Sequence, residues 1–519
     1  MNRGHGTFSM LFTLLLLVVL LSSSRSMQAS SAPNLSLGNE WREAVGYLNR
    51  LPVQDTGFVR SGLAFSQNLV SAISGGRSVG KVDAMESILY LMRDPHNAHA
   101  APIMKITHPD LVAIYGSQWI SVDQWRDLAY RDQVIHFLHG DQEARLPILN
   151  SIEYRVQLLE SLEDEFAIFP RSGEWLTPAQ ARHGENLSTM DVRILEQWDL
   201  LRAALRSDDA KAGVDASRQL VETVTQATAE LNKSLPPLDM EMFYHSHQPF
   251  RNAAAFYLLS ALLFTSGLLL GRQTLSWVGV ALLGVGFIEH AMGLSIRWIL
   301  AERGPFSNMY ESFVFAIGGM ILVALVLECS RTVRLAGLGA SILGFVFMVI
   351  AHKAPIFDSQ IRPLVPALQS SWLTYHVVTI MIGYSAFALS FFVAILYLLK
   401  DGVLGGDAGK NLLARQLPSL RTLDVFNYRI IAIGFPLLTL GIVLGAVWAA
   451  TAWGRPWGFD PKETWSAITW LIYAVYLHMR YMAGWGGRSS AIISIIGFLA
   501  VLFTYLGVNY LLPGLHSYV

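Results

Sequence analysis

Apolar and polar positions divide the chain into three parts, of which the first is residues 1–32. This part contains Arg3, an apolar run from Phe8 to Leu21, and then a stretch rich in Ser, Ala and Gln. The run is short for a spanning helix and is typical of a secretory signal peptide, with an N-terminal anchor as the alternative. Both interpretations predict that the chain after residue 32 is exported.

Residues 33–250 have the pattern of a soluble domain, with scattered charges and apolar residues at helical spacing. One such run is Ile152, Val156, Leu159, Leu162 and Phe166. We expect a mostly helical, extracytoplasmic domain. Histidine pairs such as His136 and His139 have a spacing that could bind a metal, but no carboxylate or cysteine completes a ligand set. Surface histidines are the preferred interpretation.

Residues 251–519 alternate long apolar segments with short polar connections. Each segment is long enough to cross a hydrocarbon core of about 30 Å. The segments are 253–271, 275–298, 310–328, 334–352, 372–399, 428–451, 465–484 and 489–511. The sequence therefore predicts an all-α polytopic membrane protein with about eight transmembrane helices, preceded by an exported, mostly helical domain.

Lys and Arg in the connections predict the orientation of these helices. If the 33–250 domain lies outside, the cytoplasmic connections hold the larger share of these residues. They are Arg272, Arg331, Arg334, Lys400, Lys410, Arg415, Arg421, Arg429, Arg480 and Arg488. The segment 453–465 and the C-terminus are then expected outside the cytoplasm.

The composition agrees with a membrane protein and argues against other classes. Hydrophobic residues make up 52% of the chain and charged residues 15%. The net charge of −1 offers no basic surplus for binding nucleic acid. The one cysteine, Cys329, permits neither a disulfide framework nor a C-x-x-C motif, so any thiol chemistry must be done by another protein.

The connection between the sixth and seventh predicted spans is unusually aromatic. It reads W-G-R-P-W-G-F-D-P-K-E-T-W from Trp453 to Trp465. Trp457 and Phe459 lie between Arg455 on one side and the charged residues of D-P-K-E on the other. A single interfacial Trp is usually a membrane anchor. This density of rings, with Asp460 among them, instead favours a platform for a large, flat, apolar ligand with polar edges.

Three membrane histidines are candidate ligands to a metal in such a platform. His376 at the start of the fifth span and His516 after the eighth are both expected on the face that carries the aromatic segment. His478 lies thirteen residues into the seventh span, about 20 Å deep at 1.5 Å per residue. An ionisable group at that depth is a functional candidate. His290 beside Glu289 is expected at a different depth, and an internal hydrogen bond explains it equally well.

Haem fits two histidines and an aromatic platform, because imidazoles are standard axial ligands of haem iron. Quinone is the main rival as a flat, lipid-soluble ligand, but quinone does not require two histidines at one face. Arg455 and Lys462 could pair with haem propionates. Snorkelling at the interface explains them equally well.

The same segments resemble a known family. Trp453–Trp465 looks like the tryptophan-rich "WWD" signature of haem-handling proteins. The segments Gly304–Ser312, Ser371–His376 and Gly514–Tyr518 resemble further motifs of the CcsA/ResC branch, used in system II cytochrome c maturation. The resemblance covers about residues 250–519. Pro456 and Phe459 depart from it, since a Tyr and a Trp are usual at these two positions.

The resemblance implies a set of roles for these residues. His376 and His516 would be axial ligands of a haem b held at the aromatic segment, and His478 would bind haem at an intramembrane position. A CcsB/ResB-like membrane protein would supply the opposing histidine there. Apocytochrome c and thiol reductant proteins would be further partners, and the location would be a bacterial-type cytoplasmic membrane.

The expected function is presentation of haem to an apocytochrome C-x-x-C-H segment and covalent attachment outside the cytoplasm. Trp453, Trp457, Phe459 and Trp465 would orient the porphyrin, and Asp460 would set local charge. Two alternatives remain open. One is a system I-type protein that delivers haem to a chaperone, and the other is a haem or quinone permease or sensor without bond-forming activity.

Overall fold

The computed structural model describes residues 33–76, 79–140, 142–184, 187–231, 235–329, 335–354, 356–362, 364, 368–409 and 412–515. The predicted signal segment 1–32 and the predicted ligand His516 lie outside the described residues. Contacts divide the chain into two units at the junction of His247 and Gln248. The all-α prediction is confirmed, since the described residues form only two small two-stranded sheets besides their helices.

The unit that ends at His247 consists mainly of short and medium helices. Its α-helices are Arg42–Leu48, Gly62–Ser74, Ala84–Arg93, Pro95–Ala100, Pro109–Tyr115, Val122–Arg126, Leu128–Gly140, Gln142–Glu160, Pro178–His183, Thr189–Ser207, Ala210–Glu230 and Leu238–His247. The 3-10 turns are Asn39–Trp41 and Leu162–Glu165. The antiparallel strand pairs are Pro52–Asp55 with Phe58–Ser61, and Met104–Lys105 with Trp119–Ile120.

The core of this unit forms around the apolar run found in the sequence. All five residues of that run are buried. The helix ends at Glu160, however, so Leu162 lies in a 3-10 turn and the helical spacing does not continue to Phe166. The Phe166 ring instead packs against Phe65, at 4.8 Å between centroids, and against Trp198, at 5.1 Å. Tertiary contacts of the aromatic ring therefore decide where this residue lies.

Polar residues of this unit have structural roles. Asp191 accepts hydrogen bonds from the Arg171 guanidinium at 2.9 and 3.0 Å and closes a capping box with Ser188. Burial alone would raise the pKa of Asp191, but these hydrogen bonds outweigh it and hold the pKa below its usual value. His108 caps a helix by accepting from the Asp110 amide. Within the described residues, no three His, Cys, Asp or Glu side chains form a metal-ligating group.

The second unit contains a helix at each of the eight predicted spans. They are Pro249–Leu270, Gln273–Ala301, Met309–Cys329, Leu335–Lys353, Ser371–Leu398, Leu420–Trp453, Pro461–Met482 and Arg488–Leu502, the last continuing through a π turn, Phe503–Gly507, into Val508–Leu511. Leu399–Val403, Gly406–Ala408 and Leu412–Gln416 are short elements between the fifth and sixth of these helices. The sixth helix begins at Leu420 rather than at 428 because Ser419 caps it.

Seven of the helices in the described part of the chain are long and apolar enough to cross a membrane. The helix Pro461–Met482 is not among them, and it carries Lys462, Glu463, His478 and Arg480. Exposed Trp277 and Trp298 mark the two ends of the helix Gln273–Ala301. They lie 298 − 277 = 21 residues apart, which is about 31 Å along a helix and matches the spacing of the two aromatic belts of a bilayer.

Alternate connections between the helices meet at the same end of this unit. Arg303, in the connection after the second helix, donates to the Arg362 carbonyl in the connection after the fourth at 2.9 Å. The Leu515 amide, after the eighth helix, donates to Asp460 in the connection after the sixth at 2.7 Å. Four connections are thus linked in two pairs, as helices that run alternately up and down require.

Candidate ligand-binding site

The aromatic segment Trp453–Trp465 folds as a helix end, a turn and a new helix. Trp453 is the last residue of its helix, and Gly454 follows in the left-handed conformation with φ 72°, which favours glycine and ends the helix. Pro461 then opens the helix Pro461–Met482, where its missing N–H costs nothing. Seven residues thus separate two long helices.

Asp460 and Glu463 hold this turn together. Asp460 and Glu463 form a capping box, in which each carboxylate accepts from the other residue's amide, the Asp460 amide lying 3.2 Å from the Glu463 carboxylate. The Asp460 carboxylate also accepts from the Lys462 amide at 3.2 Å. Glu463 also accepts from the Gly458 amide at 2.7 Å. Asp460 accepts from the Leu515 amide as well, and therefore ties the turn to the residue that precedes His516. The D-P-K-E part of the segment is thus a structural joint.

The aromatic rings of the segment do not form one continuous platform. Trp457 lines a cavity and contacts Phe459 edge to face, with 6.2 Å between centroids. Phe459 is 80% exposed and has a φ of 56°. Trp465 packs against Phe503 at 4.2 Å, and Trp453 packs against Trp448 at 4.7 Å. Of the four predicted rings, Trp457 alone is among the described residues that line the cavity.

Trp448 is an aromatic residue of the cavity that was not predicted from the sequence. Its side chain is 1% exposed, it lines the cavity, and its ring lies parallel to His376, with 6.4 Å between centroids and 6° between planes. It lies inside the sixth span, where an aromatic residue has no distinguishing pattern. The sequence signal for Trp448 was its position one helical turn and one residue before Trp453, on the same helix as the start of the aromatic segment.

His376 is held in one orientation by the neighbouring helix. Its Nδ1 lies 2.7 Å from the Gly441 carbonyl oxygen, so Nδ1 carries the hydrogen and donates it. In the neutral ring the lone pair is then on Nε2, which is the arrangement of most metal-ligating histidines. Gly445 leaves the space that the ring fills, since a Cβ there would lie 2.7 Å from His376 Cε1.

The cavity beside His376 has a volume of about 480 Å³, within the range of about 300–1,000 Å³ that small-molecule sites show. Apolar and aromatic groups dominate its wall, and the polar ones are few. The π turn Phe503–Gly507 contributes Thr504 and Tyr505 to this wall. Tyr505 Oη lies 2.8 Å from the Met309 carbonyl oxygen, which fixes the turn to the third helix. Such π turns recur at functional sites.

Charged residues line the same cavity. They are Arg303, Asp358, Arg362, Lys462 and Glu463, with His376 as the titratable ring. Lys462 Nζ donates to Asn509 Oδ1 at 2.8 Å. Arg455 is exposed, and it is not among the described residues that line the cavity. Of the two predicted propionate partners, Lys462 therefore lies at the cavity and Arg455 does not.

The other two predicted ligand positions differ from His376. His516 lies outside the described residues, and Leu515 is the last residue before it that the structure describes. His478 is exposed on the helix Pro461–Met482, on the same face as Leu471 and Val475. That face is available to lipid or to another protein.

His290 is bound by hydrogen bonds at both ring nitrogens. Its Nδ1 lies 3.0 Å from Tyr257 Oη and its Nε2 lies 2.9 Å from the Val314 carbonyl oxygen. The side chain is 0% exposed. Since Val314 offers only an acceptor, Nε2 carries the hydrogen and Nδ1 accepts from the tyrosine. His290 was left open between a functional role and an internal hydrogen bond, and the structure shows the internal hydrogen bond.

Comparison with known proteins connects this unit to cytochrome c assembly. A family model described as "Cytochrome C assembly protein" matches residues 306–516. The chain is 39% identical over 266 residues to "Cytochrome c biogenesis protein CcsA" of Porphyra purpurea, covering 44% of this chain and 83% of that protein. The CcsA of Synechococcus elongatus is 37% identical over 282 residues, covering 46% of this chain and 87% of its own length. The CcsA of Chlamydomonas reinhardtii is 39% identical over 241 residues, covering 46% of this chain and 67% of its own length.

We predict that Asp460→Ala loosens the joint between the turn and the C-terminal segment. Loss of a side chain that caps a helix costs about 0.5–2 kcal/mol of stability. The Leu515 amide also loses its acceptor, so its hydrogen exchange should become faster. Thermal unfolding and hydrogen exchange of residues 512–515 in the full chain measure both effects.

Asp358→Asn is the matched control, because Asp358 also bonds within a connection, to the Gln360 amide at 2.9 Å. It should leave the exchange of Leu515 unchanged. Equal hydrogen-exchange rates of the Leu515 amide in wild type and Asp460→Ala would contradict the proposal that Asp460 joins the turn to the C-terminal segment.

Proposed function

Since this chain belongs to the CcsA family of cytochrome c biogenesis proteins, we propose that its cavity holds haem b, with His376 as an axial ligand, and presents it for covalent attachment to apocytochrome c. The observation that carries the proposal is the fixed His376 ring. Its Nδ1–H donates to Gly441, which leaves the Nε2 lone pair for iron, in a cavity with an aromatic wall.

Haem suits this cavity better than quinone does. A porphyrin is flat and apolar with a carboxylate edge, and the cavity combines Trp448 and Trp457 with Arg303 and Lys462. Quinone would use the apolar wall, but it would have no use for an imidazole held in the metal-ligating tautomer. The cations likewise match propionates rather than a neutral ring.

The second axial ligand in this proposal is His516. The support is the hydrogen bond from the Leu515 amide to Asp460, which holds the chain one residue earlier at the same turn as Trp457. A ligand on the C-terminal segment could leave the iron without disturbing the helices. The histidine of the incoming C-x-x-C-H segment could then replace it.

The proposed reaction adds each cysteine S–H of the apocytochrome across one vinyl C=C of haem. The sulfur bonds to one vinyl carbon and the hydrogen goes to the other, so there is no leaving group and no net oxidant. This chain would contribute mainly proximity and orientation. The thiols must arrive reduced, and thiol reductant proteins are the proposed partners for that step. The proposed place is the extracytoplasmic face, on the distribution of Lys and Arg.

His478 is the proposed ligand of a second haem position on the route through the membrane. Its exposure on a face with Leu471 and Val475 suits a histidine whose opposing ligand comes from another protein. A CcsB/ResB-like membrane protein is the proposed source of that ligand, as system II requires. A system I-type protein would instead pass haem to a chaperone, and a permease or sensor would bind haem without forming thioethers.

We expect His376→Ala to lower haem occupancy more than about 10-fold, because even loss of the hydrogen bond behind a metal-ligating histidine costs about 10–100-fold in affinity. Visible spectra of the purified full chain measure occupancy and ligation, and covalent haem on a co-expressed apocytochrome measures function. Added imidazole should restore part of the spectrum, since it can occupy the vacated ligand position.

His352→Ala is the matched control, because His352 bonds to its own helix through Nδ1 and the Met348 carbonyl at 2.7 Å. An unchanged spectrum and undiminished cytochrome c formation in His376→Ala would refute the proposal. Bound haem that depends on His376 but never becomes covalent, with thiols kept reduced, would favour the permease or sensor.

Gly445→Ala tests the same ligand without removing it. The new Cβ would lie 2.7 Å from Cε1 and 2.8 Å from Nδ1 of His376, so the ring must shift from the position in which it bonds to Gly441. We expect lower haem occupancy and a shifted spectrum, and alanine should not weaken the helix itself, since it favours helix more than glycine does. Gly284→Ala should be silent, because a Cβ there meets nothing within 4 Å. Identical spectra for the two variants would contradict the proposed geometry.

A further inference from the structure

Two arginines share one buried carboxylate next to the cavity. Arg297 Nη2 lies 2.7 Å from Glu311 Oε1, and Arg303 Nη1 lies 2.8 Å from Glu311 Oε2. Glu311 is 1% exposed and Arg297 is 1% exposed. Two guanidinium groups against one carboxylate leave a formal charge of +1. A buried charge of this kind is costly unless a counter-charge reaches it.

Arg303 is the member of this group that lines the cavity. Its Nη2 donates to the Arg362 carbonyl at 2.9 Å. Its Nε is buried and has no hydrogen-bond partner among the described residues. Glu311 must divide its charge, since it also accepts from Arg297 and from the Ser307 amide at 3.1 Å. Arg303 therefore shares its counter-charge with Arg297 and brings positive charge to the cavity wall.

The other cations of the cavity wall have partners of their own. Arg362 pairs with Asp358 at 2.8 Å, and both side chains are more than half exposed, so water screens that pair. Lys462 donates to Asn509. Arg303 differs from both, because its carboxylate partner Glu311 is buried and is shared with a second arginine, Arg297.

We propose that Arg303 binds a carboxylate of the cavity's ligand, which on the function proposed above is a haem propionate. This inference rests on that function, since haem must enter the cavity. Arginine presents a planar fork of donors that matches a carboxylate, and the pair gains strength where water is excluded. Arg297 has a positioning role, because it holds Glu311 and so sets the direction of the Arg303 side chain.

This anchor would set the orientation of the porphyrin as well as its affinity. The propionates of haem b occupy one edge of the ring, and the vinyl groups lie away from that edge. A propionate held at Arg303 therefore leaves the vinyl groups for the incoming thiols. Of the two predicted propionate partners, Arg455 is exposed and is not among the described residues that line the cavity, and Lys462, which does line it, also donates to Asn509.

A purely structural role is the competing explanation. Arg303 could serve only to fasten the connection after the second helix, through Glu311 and the Arg362 carbonyl. Such a role would affect every ligand of the cavity equally. Recognition of a propionate would affect only ligands that carry the free carboxylate.

The test compares haem b with its dimethyl ester, which keeps the iron and the ring but lacks the charged carboxylates. Both are titrated into the full chain in nanodiscs and followed by visible spectroscopy. Wild type should bind haem b about 10–100-fold more tightly than the ester, because a hydrogen bond to a charged group is worth about one to two factors of ten. Arg303→Gln should lose that preference by weakening haem b and leaving the ester within about twofold.

Two further variants keep the result decisive. Arg455→Gln is the matched control and should preserve the preference, since Arg455 is exposed and is not among the described residues that line the cavity. Arg303→Lys retains the charge without the fork and should show an intermediate preference, with thermal unfolding close to wild type. If Arg303→Gln does not fold, the wild-type preference and its reduction in Arg303→Lys decide the matter.

Equal binding of haem b and the ester by wild type would overturn the inference, as would an equal loss of both ligands in Arg303→Gln. Either of these two results would leave the proposed function standing, provided that the haem spectrum still depends on His376. Loss of that dependence would overturn the proposed function itself.

Discussion

Close packing of the helix Ser371–Leu398 against Leu420–Trp453 is the constraint on which the site depends. Glycines make this packing possible: a Cβ on Gly434 would lie 2.9 Å from Phe387, and one on Gly441 would lie 2.9 Å from Ile380. Small residues at such contacts let membrane helices approach closely. At this separation His376 reaches the Gly441 carbonyl, which sets its tautomer. The chemistry proposed for His376 thus follows from backbone proximity between two helices.

Hydrogen bonds between the connections also fix the geometry of the site. Asp460 and Glu463 form the capping box, and Asp460 also receives the Leu515 amide, so one carboxylate joins two connections. Arg303 likewise joins the connection after the second helix to the one after the fourth, through the Arg362 carbonyl. Asp460, which the sequence indicated as part of the ligand-binding segment, is therefore also a structural joint. The fixed geometry of these connections is what would let a large planar ligand be held in one orientation.

Hydropathy was sufficient to predict the helices of the membrane unit, because bilayer thickness imposes the length and composition of each span. That His376 and Trp457 lie at one cavity could also be predicted, since His376 is near the start of a helix and Trp457 is in the aromatic turn between two helices. Trp448 and Arg303 could not, because their importance comes from contacts with residues distant in sequence. The same limit applies to His290, whose partners Tyr257 and Val314 lie on two other helices. Phe459 and Trp465 illustrate the opposite error, since aromatic density did not imply one shared face.

A structure of the full chain with haem b bound would show directly whether His376 ligates the iron. We expect haem in the cavity beside Trp448, with iron bonded to His376 Nε2 while Nδ1 keeps its hydrogen bond to Gly441. A map in which haem is bound elsewhere, with His376 not coordinated to iron, would contradict this expectation.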